Sequence, residues 1–282
     1  YSKNNDIENL LYSFNQSLNN RGPDNSSYFL LKKNYFGMSH TRLSILDLSD
    51  NGNQPMHDHS GDWVISFNGE IYNHFEIRDK ISKKMNNIKI QWKGFSDTET
   101  ILMANFTFGF EEMLKILDGM FAFALYDSKL QEVFLARDRA GEKPLFYFMN
   151  KETLYFASEL KALLSNPSLP RNIDPESFDC YLTMGFIPGE RSILSGYKKL
   201  PPAHAMRFNI RNSKIDIWKY WELPEINTNN ININKIKLVN QLELLLENAV
   251  KKQLVSDVPV GILLSGGLDS SLITAMAARN SN

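Results

Sequence analysis

The sequence predicts an α+β protein of two domains, and three features lead to that prediction. Four β-rich runs follow one another between residues 120 and 157, separated by short polar turns, which is typical of antiparallel hairpins. Helical segments with one apolar face precede and follow these runs, so we expect helices to cover the sheets from outside. Near the C-terminus, residues 258–271 (VPVGILLSGGLDSS) have the pattern of a buried strand, a tight loop and the start of a helix.

The bulk composition limits the kind of protein this can be. A chain of 282 residues, 43% of them hydrophobic, is long enough for one large or two ordinary domains. The formal net charge of −1 gives no reason to expect a nucleic acid or a membrane as partner. One cysteine cannot form an internal disulfide and fits a reducing compartment, so the cytoplasm is the expected location. No apolar run reaches about 18 residues, and the N-terminus does not resemble a secretory signal.

The first domain is predicted to span residues 1–210. Its first helix, residues 7–18, carries a stripe of apolar side chains and ends near a glycine and a proline. Strands and helices are then predicted at residues 28–31, 36–45, 63–67, 74–83 and 98–117. The β-rich runs are residues 120–126, 132–136, 145–149 and 154–157. Two helices and a strand complete the domain, at residues 159–165, 175–184 and 203–208.

The second domain is predicted to occupy residues 235–282. The linker before it, residues 211–234, contains a polar, asparagine-rich run without a helical face, residues 222–234. A helix over residues 236–254 leads directly into the strand, loop and helix pattern. Because one strand and one helix cannot bury both faces of a nucleotide-binding sheet, we expect the sequence to be part of a longer chain.

The glycine-rich loop of the second domain has the features of an anion site. Gly266 and Gly267 let the backbone approach a ligand closely, and serine hydroxyls lie beside the free N–H groups of a helix start. A Walker loop would require a lysine, and none occurs between Gly261 and Ser271. The alternative interpretation is an ordinary helix cap next to two flexible glycines.

Three polar clusters in the first domain contain groups that could bind a free α-amino acid. They are residues 40–45 (HTRLSI), 67–73 (FNGEIYN) and 96–99 (SDTE). Arg42 can hold a carboxylate through two parallel hydrogen bonds, and the carboxylates of Glu70 and Asp97 can accept from an ammonium group. Asn68 and Gly69 offer the two donors that an oxyanion hole needs. Together these groups would suit an amino acid whose side-chain carbonyl is under attack.

Each cluster also has an ordinary structural interpretation. Asn68-Gly69 is a common hairpin turn. Asp97 precedes a helical run, where a cap or a first-turn carboxylate is expected. Arg42 alone would be a surface charge. His57 and His59 are interpreted as a solvated pair, and no protein metal site is predicted.

The order of the clusters along the chain resembles the class II glutamine amidotransferases. The resemblance includes Arg21-Gly22-Pro23-Asp24 and Gly52-Asn53-Gln54-Pro55-Met56. It extends through residues 118–124, 136–139 and 157–161. The loop at residues 265–271 resembles the pyrophosphate loop of the ATP pyrophosphatases. With residues 185–188 and 200–204, the whole is similar to the family of glutamine-hydrolysing asparagine synthetases, although Ala203 stands where glycine is usual.

This resemblance implies a fold, a reaction and a set of binding residues. The fold would be the αββα sandwich of the N-terminal-nucleophile hydrolases, followed by the beginning of an α/β nucleotide-binding domain. Glutamine would be hydrolysed to glutamate and ammonia, and aspartate would be adenylated by ATP and amidated to asparagine, with release of AMP and pyrophosphate. Magnesium would accompany the phosphates, and a homodimer is a possible assembly.

The implied residues fall into two groups. The glutamine carboxylate would be held by Arg42 and the four residues after it, Leu43, Ser44, Ile45 and Leu46. Glu70 and Asp97 would hold the α-amino group, while Asn68 and Gly69 would stabilise the oxyanion. ATP would contact Leu263, Ser265, Gly266, Gly267, Leu268, Asp269, Ser270 and Ser271.

The nucleophile departs from the family pattern. The family uses an N-terminal cysteine that is followed by a strand, whereas residue 1 here is Tyr1. The only thiol is Cys180, which lies among apolar residues of a predicted helix and is expected to be a buried structural thiol. We therefore expect a short N-terminal piece with the cysteine to lie outside this sequence. Two alternatives stay open: a related enzyme that amidates a sugar or another carboxylate, and a non-catalytic protein that only binds glutamine.

Overall fold

The computed structural model describes residues 2–34, 36–86, 90–225 and 234–280, with residues 2–6 and 34 described by their backbone alone. The chain divides into two compact units, Tyr1–Glu222 and Leu223–Asn282. A strand at Ile215–Lys219 belongs to a sheet of the first unit, so this sheet continues past the predicted boundary at residue 210. Residues 226–233 of the predicted linker lie outside the described residues.

The described part of the first unit contains eleven strands and six α-helices. The strands are β1 Asn25–Leu31, β2 Phe36–Arg42, β3 Met56–His57, β4 Trp63–Ile71, β5 Gly119–Asp127, β6 Glu132–Arg137, β7 Phe146–Asn150, β8 Thr153–Ala157, β9 Tyr197–Lys199, β10 His204–Asn209 and β11 Ile215–Lys219. The helices are α1 Ser2–Leu18, α2 His74–Lys84, α3 Asp97–Phe108, α4 Phe110–Ile116, α5 Leu160–Leu164 and α6 Pro175–Met184.

The central layer is a six-stranded antiparallel sheet in the order β11-β10-β6-β5-β4-β3. Because side chains alternate along a strand, β5 sends Phe121, Phe123 and Leu125 into one core and Ala122 and Ala124 into another. Both cores are buried, which explains why β5 is an almost continuous apolar run.

A second layer of strands lies against one face of this sheet. It consists of the pair β1-β2 and the three-stranded sheet β8-β7-β9. Phe36 and Met38 of β2 and Tyr147 of β7 pack into the same core as Ala122 and Ala124. Helix α1 packs against β2 and α5, and α5 packs against β8. Helices α2, α3 and α4 pack on the opposite face of the six-stranded sheet, so the layers run helix, sheet, sheet, helix, which confirms the predicted sandwich.

Several local predictions differ from the structure. The helix predicted over residues 98–117 is two helices, α3 and α4, separated by Gly109, whose φ of 81° does not continue a helix. The expectation that Cys180 is buried is wrong: the thiol is half-buried, because its helix α6 contributes only Ser177 to the interior. None of the described helices has the length and apolar character needed to span a bilayer.

The second unit contains helices α7 Lys235–Gln253 and α8 Leu268–Asn280. They pack together, and Arg279 of α8 forms an ion pair of 2.8 Å with Glu243 of α7. The prediction of a buried strand over residues 258–264 is wrong here, since these residues adopt no strand and Leu263 is 95% exposed. Residues 234–280 offer two helices but no neighbouring strand, so the apolar run has no hydrogen-bonding partner along its edge.

Candidate active site

One edge of β4 is open at the point where the predicted oxyanion residues lie. Strand β3 pairs with β4 only through Val64 and Ile65. Beyond them, the backbone N–H of Phe67 donates to the side chain of Gln54 at 2.7 Å, and that of Ile71 donates to Asp97 at 2.9 Å. Gly69 is midway between these two residues, and alternate N–H groups of a strand point the same way. The N–H of Gly69 therefore points to the open edge, between the side chains of Gln54 and Asp97.

The pairing of Gly69 with β5 supports this direction. Gly69 is opposite Phe121, and the N–H and C=O of Phe121 are both bonded to Asp138 on the far side of β5. Gly69 and Phe121 thus form a narrow pair without hydrogen bonds between them. A Cβ at position 69 would overlap the carbonyl oxygen of Met120 and lie 2.8 Å from the Phe121 Cα. Only glycine fits here, and Asn68-Gly69 lies within a strand, so the hairpin-turn interpretation is wrong.

Asn68 supplies a second donor beside Gly69. Its Nδ2 atom is buried and has no hydrogen-bond partner in the protein. Asn68 and Gly69 line the same cavity. A buried amide without a partner is costly, and a bound molecule with an acceptor atom would satisfy this donor. The structure brings together the two donors that the sequence predicted as an oxyanion hole.

Two carboxylates face the same cavity. Asp97 is 5% exposed and lies in the first turn of α3, whose N-cap is Ser96. Burial raises the pKa of Asp97 to about 6. The negative charge of the nearby Glu70 also raises this pKa, whereas the hydrogen bond from the Ile71 N–H lowers it. Burial also raises the pKa of Glu70, and Lys143 opposes that shift. Neither carboxylate has an ion-pair partner within 4.0 Å among the described residues, so a ligand ammonium would find both available.

Arg42 organises a loop next to these carboxylates. It is 6% exposed, so it is not a surface charge. Its Nη1 donates to the Ser49 carbonyl at 2.9 Å and to Asn53 Oδ1 at 3.0 Å, and its Nη2 donates to the carbonyls of Leu46 and Asp47. The four terminal N–H groups are thus engaged with residues 46–53. A substrate carboxylate could still meet the Nε side of the guanidinium or the loop that Arg42 fastens.

The four residues after Arg42 differ in their position. Leu43, Ile45 and Leu46 line the cavity. Ser44 is not part of the lining, and its backbone N–H donates to Asp24 at 2.7 Å. This bond ties the Arg21-Gly22-Pro23-Asp24 motif to the start of the loop.

The cavity is large, about 980 Å³, and extends between two strand edges. All seven residues of β2 and all five of β8 line it, whereas a strand that presents a face would contribute alternate residues. Neither of these edges has a strand partner among the described residues. Two further walls are α1, through an apolar stripe, and the inner face of the six-stranded sheet. Those two walls include Leu10, Leu11, Phe14, Ser66, Ala122 and Ala124.

Two polar residues of the cavity had no predicted role. His40 Nδ1 lies 3.1 Å from Ser66 Oγ, and burial together with Arg42 lowers the pKa of His40 to about 4, so its ring is neutral at pH 7. Gln54 belongs to the Gly52–Met56 motif and reaches the open edge of β4. The motif marked the position, but only the fold reveals what the side chain contacts.

The loop of the second unit is an accessible turn at the start of a helix. Gly266 has a φ of 80°, and a side chain there would meet open space, so the loop is accessible. Ser265 Oγ and Ser270 Oγ are 3.0 Å apart, and both flank the N-terminus of α8, which begins at Leu268. The predicted ATP residues 265–271 therefore form one exposed turn at a helix start. Leu263 precedes that turn.

Comparison with known proteins defines the class. Residues 1–221 match the family described as glutamine amidotransferase domain, and the chain belongs to that family. Residues 241–282 match the family described as asparagine synthase. The relatives it resembles include a putative asparagine synthetase (glutamine-hydrolyzing) 2 of Methanocaldococcus jannaschii, 35% identical over 288 residues, with 96% of this chain and 54% of that protein covered. Asparagine synthetase (glutamine-hydrolyzing) 3 of Bacillus subtilis is 38% identical over 267 residues, with 93% of this chain and 41% of that protein covered.

The similarity is partial in length and, for solved structures, confined to the fold. The chain spans about half the length of the curated relatives it matches. Among solved structures, the glutamine phosphoribosylpyrophosphate amidotransferase of B. subtilis aligns with a TM-score of 0.52 at 14% identity, over 96% of this chain and 61% of that chain. That likeness concerns the fold alone.

Proposed function

We propose that the first unit hydrolyses glutamine and that the complete protein uses the ammonia to convert aspartate to asparagine at the expense of ATP. The observation that carries the proposal is the open edge of β4. There the N–H of Gly69 and the unpaired amide of Asn68 lie in one cavity with the carboxylates of Glu70 and Asp97. This arrangement suits an α-amino acid with a side-chain carbonyl.

Glutamine would be held at three points. Its ammonium would lie between Glu70 and Asp97, and its carboxylate would lie against the loop that Arg42 fastens. Its amide oxygen would accept from Asn68 Nδ2 and from the N–H of Gly69. These two donors would then stabilise the oxyanion that forms when a nucleophile attacks the amide carbon.

The nucleophile is assigned to a strand that would lie between β2 and β8. The unpartnered edges of these strands bound the cavity, and a strand lies about 4.8 Å from each neighbour, so one added strand could bond to both. Cys180 is not a lining residue of this cavity. A cysteine at the start of the added strand would attack the amide carbon, and its α-amine, with a pKa near about 8, could accept the thiol proton and deliver it to the departing ammonia. Water would then release glutamate from the thioester.

The synthetase reaction is assigned to the second unit and its continuation. The turn at residues 265–271 would hold the phosphates of ATP, with magnesium bound to them, because free N–H groups and hydroxyls of a helix start suit an anion. The aspartate carboxylate would displace pyrophosphate from ATP, and ammonia would then displace AMP. The protein would act in the cytoplasm and would form a homodimer.

The test uses the gene product read from its natural start codon. Glutamate release and ammonia release from glutamine are measured first, with Asn68→Ala as the variant that should lose turnover. A protein that releases no ammonia would contradict the glutaminase proposal. Pyrophosphate release is then measured with aspartate and with other carboxylates as acceptors. If aspartate gives none while another carboxylate does, the asparagine assignment is wrong and the glutaminase proposal stands. Cys180, the one thiol of residues 1–282, does not line the cavity, so a polypeptide of these residues alone is expected to hydrolyse no glutamine.

A further inference from the structure

We infer that Gln54 is a positioning residue that sets the direction of the Gly69 N–H, an inference that rests on the proposed glutaminase function. Gln54 is 7% exposed, and it makes three hydrogen bonds to three different elements. Its Oε1 accepts from the N–H of Phe67 on β4 at 2.7 Å, and its Nε2 donates to Thr98 Oγ1 on α3 at 3.3 Å. Its backbone carbonyl accepts from the Ser27 hydroxyl on β1.

The position of Gln54 follows from the strand register. Met56 is paired with Ile65, so continuing the register backwards places Gln54 opposite Phe67. At this position the backbone carbonyl of Gln54 accepts from the Ser27 hydroxyl in place of the Phe67 N–H. The side-chain Oε1 of Gln54 accepts the Phe67 N–H instead and so replaces the backbone acceptor of the ladder.

The bond from Gln54 to β4 constrains the part of that strand that contains Gly69. From Phe67 to Ile71 the open edge has three N–H groups, and the first and last are held by the side chains of Gln54 and Asp97. Gly69 lies between these two anchors, about 6.6 Å from each along the strand. The strand cannot twist at Gly69 without moving one anchor. Gln54 and Asp97 thus leave the middle N–H uncovered and fix where it points.

The chemistry of this site favours an amide. Gln54 must accept from Phe67 and donate to Thr98 at the same time, which an uncharged carboxamide does without any change of protonation. Asp97 and Glu70 line the same cavity, so a negative charge at position 54 would be repelled. An apolar side chain would leave the N–H of Phe67, a residue that is 3% exposed, without an acceptor.

The decisive variant is Gln54→Met in the gene product with its natural N-terminus. Methionine has a similar length and shape but cannot accept this bond. Because a small displacement of a catalytic donor is costly, kcat for glutamine hydrolysis is expected to fall about 10- to 100-fold, with KM for glutamine changed less than about threefold. Synthesis from added ammonia, which bypasses the oxyanion hole, should stay unchanged.

Two further variants separate positioning from a general loss of stability. Asn166→Leu removes another buried side-chain amide, which is 8% exposed and does not line the cavity. The Oδ1 atom of Asn166 accepts from the Ser168 N–H at 3.0 Å. The kcat of this variant should equal that of the wild type. Thr98→Val removes the hydrogen-bond partner of Gln54 Nε2 but leaves the bond between Gln54 and Phe67 in place. We expect kcat to fall by a smaller factor, about three to ten. This test does not depend on whether Gln54→Met folds.

The result that overturns the inference is a Gln54→Met enzyme with kcat within twofold of the wild type. A rise in KM at constant kcat would overturn it as well, because it would assign Gln54 to substrate binding. In both cases ammonia release by the wild type would leave the proposed function intact. A wild type that releases no ammonia would instead remove the proposed function.

Discussion

The Oδ2 atom of Asp97 lies 2.9 Å from the backbone nitrogen of Ile71, and this bond joins the first turn of α3 to the open edge of β4. Gly69 precedes Ile71 by two residues, so the carboxylate assigned to the ammonium is fixed relative to the donor assigned to the oxyanion. The separation of these two groups is set by a strand, which is more rigid than a loop. Burial holds the pKa of Asp97 at about 6, so its ionised form is present at neutral pH at a cost to stability.

We predict that Asp97→Asn stabilises the folded protein at neutral pH while it weakens glutamine binding. The ordinary pKa of Asp97 is 3.8, and its folded pKa is about 6. Between these values the folded protein keeps a proton that the unfolded chain has released, so stability falls as the pH rises from 3.8 to 6. Above pH 6 the full cost, on the order of 3 kcal/mol, is present.

Urea unfolding of both proteins at pH 4 and pH 7.5 checks this prediction. Asparagine keeps an acceptor for the Ile71 N–H and has no charge, so the variant should gain stability over the wild type at pH 7.5 and gain little at pH 4. A variant that is less stable than the wild type at both pH values would show that the ionised carboxylate is not strained by burial.

Glutamine binding is predicted to release a proton below pH 6. An ammonium group next to Asp97 favours the ionised carboxylate, so the ligand lowers the pKa of Asp97 from about 6. At pH 5.5 part of the Asp97 population must therefore lose its proton on binding, and affinity should rise as the pH rises to 7. Calorimetric titrations in two buffers of different ionisation enthalpy measure the released proton. Equal heats in both buffers would mean that Asp97 does not meet the ammonium.

The elements that the sequence predicts correctly are those with a clear local pattern. The apolar stripe of α1 and the almost continuous apolar run of β5 are such patterns, and both elements occur where they are expected. Strands β3, β9 and β11 have two, three and five residues, and their pairing depends on partners far along the chain. Residues 258–264 have the composition of a strand but lack a neighbour within the described part of their unit, so composition alone was misleading.

The candidate site was predictable to a similar degree. The sequence identifies Asn68, Gly69, Glu70 and Asp97 through clusters whose order resembles a family, and the fold brings all four to one cavity. It does not reveal Gln54, because this role comes from bonds to residues 13 and 44 positions away. The sequence also does not reveal that the terminal N–H groups of Arg42 donate to the loop that follows it.

Gly69→Ala is predicted to damage both stability and turnover. A Cβ would overlap the Met120 carbonyl oxygen, so β4 and β5 would have to separate at their narrow pair. Overpacking of this kind costs about 1–3 kcal/mol. Alanine keeps the backbone N–H but displaces it from its place at the open edge, so kcat is expected to fall by up to about 10²-fold. Gly261→Ala is the control, because a Cβ there meets nothing within 4 Å. Thermal unfolding and ammonia release should both be affected by Gly69→Ala and unaffected by the control. A Gly69→Ala protein that loses stability but keeps normal turnover would show that the position of this N–H does not matter for the reaction.

Arg42→Lys and Gly52→Ala are predicted to act through the same loop. A lysine ammonium cannot reach the four oxygens that the guanidinium binds. A Cβ on Gly52 would overlap Arg42 Nη2 and lie 2.7 Å from its Cζ, so it would displace the guanidinium without removing it. Each variant should raise KM for glutamine with a smaller change in kcat, because the loop is assigned to substrate binding.

The two changes should not add when they are combined. If Arg42 acts by fastening residues 46–53, either variant alone releases the loop. The glutamine affinity of the double variant should then equal that of the single variant with the lower affinity. Glutamine affinity in all four proteins gives the coupling, and hydrogen exchange of the Gly52 and Asn53 amides, bonded to Ser49 and Asp50, reports the loop itself. Full additivity with unchanged exchange in Arg42→Lys would mean that the guanidinium meets the substrate carboxylate directly.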